Sequence, residues 1–181
     1  MIILYGTVCL DLIHRVSQLP AKGSYVEIDG EFHALGGEAA NTAASLRKWG
    51  AHVQLVGNSI GMGAHSELLG ALLREHDLMD AIIPDGDHSA PVCHIFVTPD
   101  GERTMFGRGF ADMEMRGRPT LIPLEKGAWL SIDPNHGAQA RRAAELGSEA
   151  GMNLYLLDFV QDDEVVPAGS FWQSSTAWVG E

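Results

Sequence analysis

Short apolar runs alternate along this chain with segments in which apolar residues recur every three or four positions. Apolar runs bounded by glycine or polar residues are typical of strands buried on both faces of a parallel sheet, and they predict core strands at residues 2–6, 53–57, 127–132 and 153–157. The three- and four-residue spacing predicts helices, and these lie at residues 38–49, 62–75 and 137–151. Strands that alternate with helices favour an α/β fold with a parallel sheet.

Two further segments alternate apolar and polar residues in part, as half-exposed antiparallel strands do. Residues 11–35 predict one such pair around a Pro/Gly turn, and residues 92–97 and 103–106 predict a hairpin around Pro99-Asp100-Gly101. The hairpin could pair with the earlier strands, and both would project from the core. We also expect a short edge strand at 81–84 and a connecting loop over 110–123.

Composition narrows the possible partners of the chain. Its 181 residues suffice for one globular unit with a sizeable core. The 12 basic and 24 acidic residues give a net charge of −12, which repels nucleic acid and anionic lipid. Apolar runs stay well short of the roughly 20 residues that span a bilayer, so we expect a soluble, cytoplasmic protein. Cys9 and Cys93 lack metal or redox spacing and are interpreted as reduced, packed thiols.

Ligands of open parallel sheets bind beyond the carboxyl ends of the strands, and several polar or glycine residues stand at such places. They are Asp11, Gly36, Gly37, Asn41, Gly57, Asn58, Asp133 and Asp158. Each one alone is more typical of a turn or a helix cap than of ligand contact. Together, carboxylates and an amide suit a polyol, because each hydroxyl can donate to a carboxylate and accept from an N–H group.

The order of these elements resembles the amino-terminal part of the PfkB (ribokinase-like) carbohydrate kinases. The matching stretches are Gly6-Thr-Val-Cys-Leu-Asp11, Gly36-Gly37-Glu-Ala-Ala-Asn41, Val56-Gly-Asn-Ser-Ile-Gly-Met-Gly63, Pro99-Asp-Gly-Glu-Arg103, and two strands that end at Asp133 and Asp158. The resemblance implies a ribokinase-like, three-layer α/β fold with a mostly parallel sheet flanked by helices. It also implies a small β lid from strands at about 12–35 and 92–107, so that residues 1–181 form the amino-terminal portion of one domain.

In function, the resemblance implies a sugar or nucleoside kinase that transfers the γ-phosphate of ATP to a substrate hydroxyl with the help of Mg²⁺. Asp11 and Asn41 would hold substrate hydroxyls, Gly36 and Gly37 would let the backbone close on the substrate, and Asp133 would form a polar wall of the same pocket. Arg108, which flanks a lid strand, could reach a substrate carboxylate or phosphate, with a surface ion pair as the alternative.

The chain also departs from the family pattern. Cys9 stands where ribokinases have asparagine, and Glu38 stands where they often have a basic residue. In the family's Asn-x-x-Glu element, which helps organise magnesium and phosphate, Trp178 replaces the asparagine, which leaves Glu181 as the one candidate metal residue. The family's Gly-Ala-Gly-Asp region, with the catalytic base, does not occur. We therefore predict the acceptor-binding part of a kinase, with no catalytic residue in this chain and its carboxyl-terminal part missing.

One alternative remains open, and a second one lacks its motif. The chain could be a non-catalytic α/β ligand-binding or dimerisation module, in which the two lid hairpins pair between subunits of a homodimer. A Rossmann oxidoreductase would need Gly-x-Gly-x-x-Gly after the first strand, and residues 6–11 do not provide it.

Overall fold

The computed structural model describes residues 1–79, 88–111, 116–157 and 167–174, whose strands form two sheets. The strands are β1 (Ile2–Gly6), β2 (Cys9–Val16), β3 (Ile28–Gly36), β4 (Val53–Gly57), β5 (Val92–Val97), β6 (Arg103–Arg108), β7 (Trp129–Ile132), β8 (Asn153–Leu157) and β9 (Phe171–Gln173). The α-helices are α1 (Glu38–Lys48), α2 (Ala64–Glu75) and α3 (Ala138–Glu149), and 3₁₀ turns occupy Pro119–Leu121 and Pro134–His136.

The larger sheet has the strand order β4-β1-β7-β8-β9, and every pair in it is parallel. This confirms the predicted parallel sheet and its four core strands. The short edge strand β9 was not predicted, and its three residues are all exposed.

Helices cover this sheet on both faces. Successive residues of β1 point to opposite sides: Leu4 packs in a cluster with α1 and α2, whereas Ile3 and Tyr5 pack in a second cluster with α3. Ala39, Ala40 and Ala43 bring α1 close to the sheet because their side chains are small. The predicted α/β fold with a mostly parallel sheet flanked by helices is confirmed.

The smaller sheet, which we call the lid sheet, has the order β3-β2-β5-β6. Strand β2 pairs antiparallel with β3 and parallel with β5, and β5 pairs antiparallel with β6. The two predicted strand pairs therefore form one sheet. Cys9 of β2 pairs with Gly36 of β3, so the hydrogen-bond ladder of the lid sheet extends to the glycine pair. Asp11 therefore lies within β2, and the expectation that it follows a strand is wrong.

Several boundaries differ from the predicted ones by a few residues. Helix α2 begins at Ala64, after Gly61 and Gly63, and α3 begins at Ala138, after the 3₁₀ turn at Pro134–His136. The expected edge strand at 81–84, part of the loop at 110–123, Asp158 and Glu181 lie outside the described residues. Among the residues described, no helix has the length and apolar character needed to cross a membrane.

Candidate functional site

The glycine pair joins the lid sheet to the first turn of α1 at a point of very close packing. A Cβ atom on Gly36 would lie 2.1 Å from Asp11 Oδ1, and one on Gly37 would lie 2.2 Å from the carbonyl oxygen of Thr7. Gly37 also has a φ of +97°, which side chains of L-residues rarely tolerate. The Ala40 N–H donates to the same Thr7 oxygen at 3.3 Å. The sequence therefore needs glycine at both positions to bring α1 against Asp11 and the β1–β2 turn.

Asp11 is a half-buried carboxylate with limited protein contacts. The Cys9 thiol donates to its Oδ1 at 3.5 Å, and no other described residue donates to this side chain. Burial raises the pKa of Asp11 above its usual range, while the Cys9 hydrogen bond and the positive charge of Arg103 oppose that rise. The carboxylate thus retains acceptor capacity for a ligand.

Asp133 lies at the same edge of the larger sheet but is almost fully enclosed. It accepts hydrogen bonds from the Thr7 N–H at 2.5 Å, the Thr7 hydroxyl at 3.2 Å and the Asn135 N–H at 3.1 Å. Asn135 in turn donates to Glu38 Oε2 at 2.8 Å. Asp133 therefore ties the ends of β1 and β7 together beside the start of α1, and its role as a wall of the pocket stays a prediction.

Asn41 and Arg108 are both exposed. Asn41 lies in the first turn of α1, and its backbone N–H donates to the Gly37 carbonyl at 2.9 Å. Arg108 pairs with Val92, whereas Asp11 pairs with Cys93, so the alternation of the strands places Arg108 and Asp11 on opposite faces of the lid sheet. Contact of either exposed residue with a substrate stays a prediction.

Three other residues shape the site. The sequence assigned no role there to Thr7 or Arg103, and it suggested ligand contact for Asn58. Thr7 supports both Asp133 and α1, and Arg103 supplies the positive charge that acts on Asp11. Asn58 is fully buried and uses its side chain on the backbone, donating to the Val8 carbonyl at 3.0 Å and accepting from the Val8 N–H at 2.8 Å. For Thr7, the signal available in the sequence was its position directly after a core strand.

The described part of the chain contains no group of three or more His, Cys, Asp or Glu side chains that could hold a metal ion. The candidate residue Glu181 lies outside that part. What the described geometry can offer is hydrogen bonding to a polar ligand, from the Asp11 carboxylate, the Asn41 amide and the N–H groups at the start of α1.

A family model and a related protein both connect this chain with carbohydrate kinases. The sequence model of the family described as pfkB family carbohydrate kinase matches residues 1–134. A Dictyostelium discoideum protein with the name uncharacterized sugar kinase is 26% identical over 185 residues, which cover 86% of this chain and 52% of that protein.

Solved structures with the same fold include the ribokinase of Giardia lamblia, with a TM-score of 0.72, 17% identity, and coverage of 90% of this chain and 52% of that one. They also include a Burkholderia thailandensis nucleoside kinase in complex with inosine, with a TM-score of 0.69, 13% identity, and coverage of 87% and 52%. The ribokinase-like fold is thereby confirmed. The chain spans about half the length of the relatives it matches.

Proposed function

We propose a phosphotransferase function for this chain, which belongs to the pfkB family of carbohydrate kinases. In this proposal, residues 1–181 are the amino-terminal portion of one ribokinase-like domain, with a lid from the strands at about 12–35 and 92–107. That portion binds the acceptor, a small sugar or nucleoside. The reaction transfers the γ-phosphate of ATP to an acceptor hydroxyl.

The observation that carries the proposal is the placement of Asp11. Its carboxylate lies over Gly36, at the foot of the lid sheet, and Gly36 is followed directly by Gly37 and α1. Partial burial strengthens the hydrogen bonds that a carboxylate accepts, because water competes less for them. An acceptor hydroxyl at this place would donate to Asp11, and a neighbouring one would reach Asn41, while Asp133 and Arg108 are the further candidate contacts.

The chemistry of transfer needs more than the acceptor site. The acceptor oxygen attacks the γ-phosphate in line, and a base must take up its proton while positive charge stabilises the transferred phosphoryl group. ATP and Mg²⁺ are the donor and cation that the family implies. We expect the base to lie outside residues 1–181, so these residues orient the acceptor and exclude water from one side of it.

The partners and the location that we propose for this enzyme follow from its net charge. A net charge of −12 disfavours nucleic acid and anionic membrane surfaces as partners and suits a cytoplasmic enzyme that acts on small molecules.

Calorimetry on residues 1–181 tests the proposal with ribose, fructose, glucose, adenosine and uridine. We expect at least one to bind, and Asp11→Asn to weaken that binding at least tenfold, because the neutral amide accepts a weaker hydrogen bond. Asp29→Asn, which removes an equal charge from an exposed position of β3, should leave the affinity unchanged. Equal effects of the two variants, or no binding at all, would contradict the proposal.

A coupled assay of ATP consumption tests whether the catalytic base lies outside residues 1–181. Residues 1–181 should show no acceptor-dependent turnover, and robust turnover would overturn the assignment of the base to another part of the protein.

The second candidate function is a non-catalytic module that dimerises through the lid. Its support is that β3 and β6 are the two edges of the lid sheet and are largely exposed, so each edge presents unpaired backbone groups to a second copy. Light scattering over a range of concentrations tests for a homodimer. A stable dimer that binds none of the five ligands would favour this alternative over the kinase.

A further inference from the structure

The face of the lid sheet that carries Asp11 is organised in rows across the four strands. The row of Asp11 contains small neighbours, Ala34, Cys93 and Gly107. The next row on the same face is wholly apolar, and we call it the apolar row: Phe32, Ile13, Ile95 and Met105.

The apolar row is partly open to solvent at both ends. Phe32 is 49% exposed and Met105 is 58% exposed, whereas Ile95 between them is 8% exposed. The Arg15 guanidinium lies over the Phe32 ring, 5.2 Å from the ring centroid, and Arg15 is two residues beyond Ile13 in β2. A row of apolar side chains that is open to solvent at both ends and lies next to a polar site is typical of a surface that a ligand covers.

Distances along the strand set the size of that ligand. Asp11 and Ile13 are two residues apart in β2, so their Cα atoms are separated by about 6.6 Å. This is roughly the width of one sugar ring. A sugar held at Asp11 would fill the row of small residues, and an attached group would lie against the apolar row.

We propose that the acceptor is a nucleoside, whose ribose hydroxyls bind Asp11 and whose planar base packs on Phe32, Ile13, Ile95 and Met105. This inference rests on the proposed kinase function. A free sugar would leave the apolar row uncovered, and a larger sugar would turn hydroxyls toward side chains that offer them no hydrogen bond. A heteroaromatic base buries its apolar faces there instead and favours contact with the part of the Phe32 ring that Arg15 leaves exposed.

The test is calorimetry on residues 1–181 with adenosine, uridine and ribose. We expect either nucleoside to bind at least tenfold more tightly than ribose. Met105→Ala should lower the nucleoside affinity about three- to tenfold and leave ribose unaffected, because only the base reaches that side chain.

Phe106→Ala is the matched control. Phe106 follows Met105 in β6 and is equally exposed, at 58%, but it lies on the opposite face of the lid sheet. It should leave both affinities unchanged. If ribose or fructose binds as tightly as the nucleosides, or if the two variants act alike, the nucleoside assignment is wrong while the kinase proposal stands. If no sugar or nucleoside binds, both proposals fail.

Discussion

At the scale of single residues, the proposed binding role of Asp11 goes together with a cost in stability. Burial raises the pKa of this carboxyl in the folded chain above the value of 3.8 that it has when unfolded. The unfolded state therefore loses its proton first, and stability falls as the pH rises through the interval between the two pKa values. Above that interval, the folded protein carries a partly desolvated negative charge.

We accordingly expect Asp11→Asn to raise the melting temperature by about 1–3 °C at pH 7, because the amide keeps the shape and needs less solvation. The difference from the parent chain should vanish at pH 3, where the carboxyl is protonated in both states. Circular dichroism melts at the two pH values measure it. A lower melting temperature for the variant at pH 7 would show that Asp11 stabilises the fold.

The residues of the candidate site were predictable where the chain itself brings them together. Asp11, Gly36 and Gly37 meet because Asp11 lies in β2 and Gly36 lies at the end of β3, which pairs with β2, with Gly37 directly after it. The alternation of apolar and polar residues over 11–35 predicts that strand pair. Which arginine shares a face with Asp11 was not predictable. A shift of one residue in the β5–β6 register exchanges the faces of Arg103 and Arg108, and the pattern of an exposed hairpin does not determine that register.

At the scale of elements, the entry to α1 depends on two different properties of Gly37, its positive φ and its contact with Thr7. A comparison with Gly63, at the entry to α2, separates the effect of the positive φ from the effect of the contact with Thr7. Its φ of +104° resembles the +97° of Gly37, but no atom lies within 4 Å of the place where its Cβ would stand.

We expect Gly63→Ala to lower the free energy of unfolding by about 1–3 kcal/mol through backbone strain alone. Gly37→Ala should lower it by about 2 kcal/mol more, because its Cβ would displace the Thr7 carbonyl and with it the hydrogen bond to Ala40. Urea unfolding of both variants gives the comparison. Equal losses would mean that the contact with Thr7 relaxes at no cost.

The 3₁₀ turn before α3 contains a histidine whose burial should make the stability of the fold sensitive to acid. His136 is fully buried, its ring meets Tyr5 edge to face with centroids 5.2 Å apart, and neither ring nitrogen has a hydrogen-bond partner among the described residues. Burial lowers the pKa of His136 below 6.5, and the nearby Asp133 opposes that shift.

Below pH 6.5 the unfolded chain therefore binds a proton that the folded chain does not take up, so stability falls as the pH decreases. We expect His136→Leu to reduce the loss of stability between pH 7.5 and pH 5. Urea midpoints at both pH values measure this change, and His65→Leu, on an α2 side chain that is only partly buried, is the control. An unchanged pH dependence in His136→Leu would assign the acid sensitivity to other groups.

At the scale of the whole molecule, the layered α/β architecture was predictable because apolar runs and helical periodicity alternate through most of the chain. The edge strand β9 was not, since three exposed residues carry no periodic signal. That strand extends a sheet whose two faces are covered unequally. Helix α3 packs on one face of β7 and β8, but no described helix packs on the other face, which carries Trp129, Tyr155 and Phe171.

A parallel sheet is normally covered on both faces, so the open face of β7–β9 should behave as an apolar surface in residues 1–181. Trp129 and Phe171 pack together there with centroids 5.4 Å apart, beside a cavity of about 350 Å³ under Leu46 of α1. We expect the chain to bind the dye ANS, and the double variant Trp129→Gln, Phe171→Gln to lose most of that fluorescence.

The control is Trp49→Gln, which removes a more exposed tryptophan, 78% accessible, from the end of α1. It should leave the fluorescence nearly unchanged, because an isolated aromatic residue does not form a continuous apolar surface. Full dye binding by the double variant would show that the exposed apolar area lies elsewhere, with the lid sheet and its apolar row as the next surface to vary.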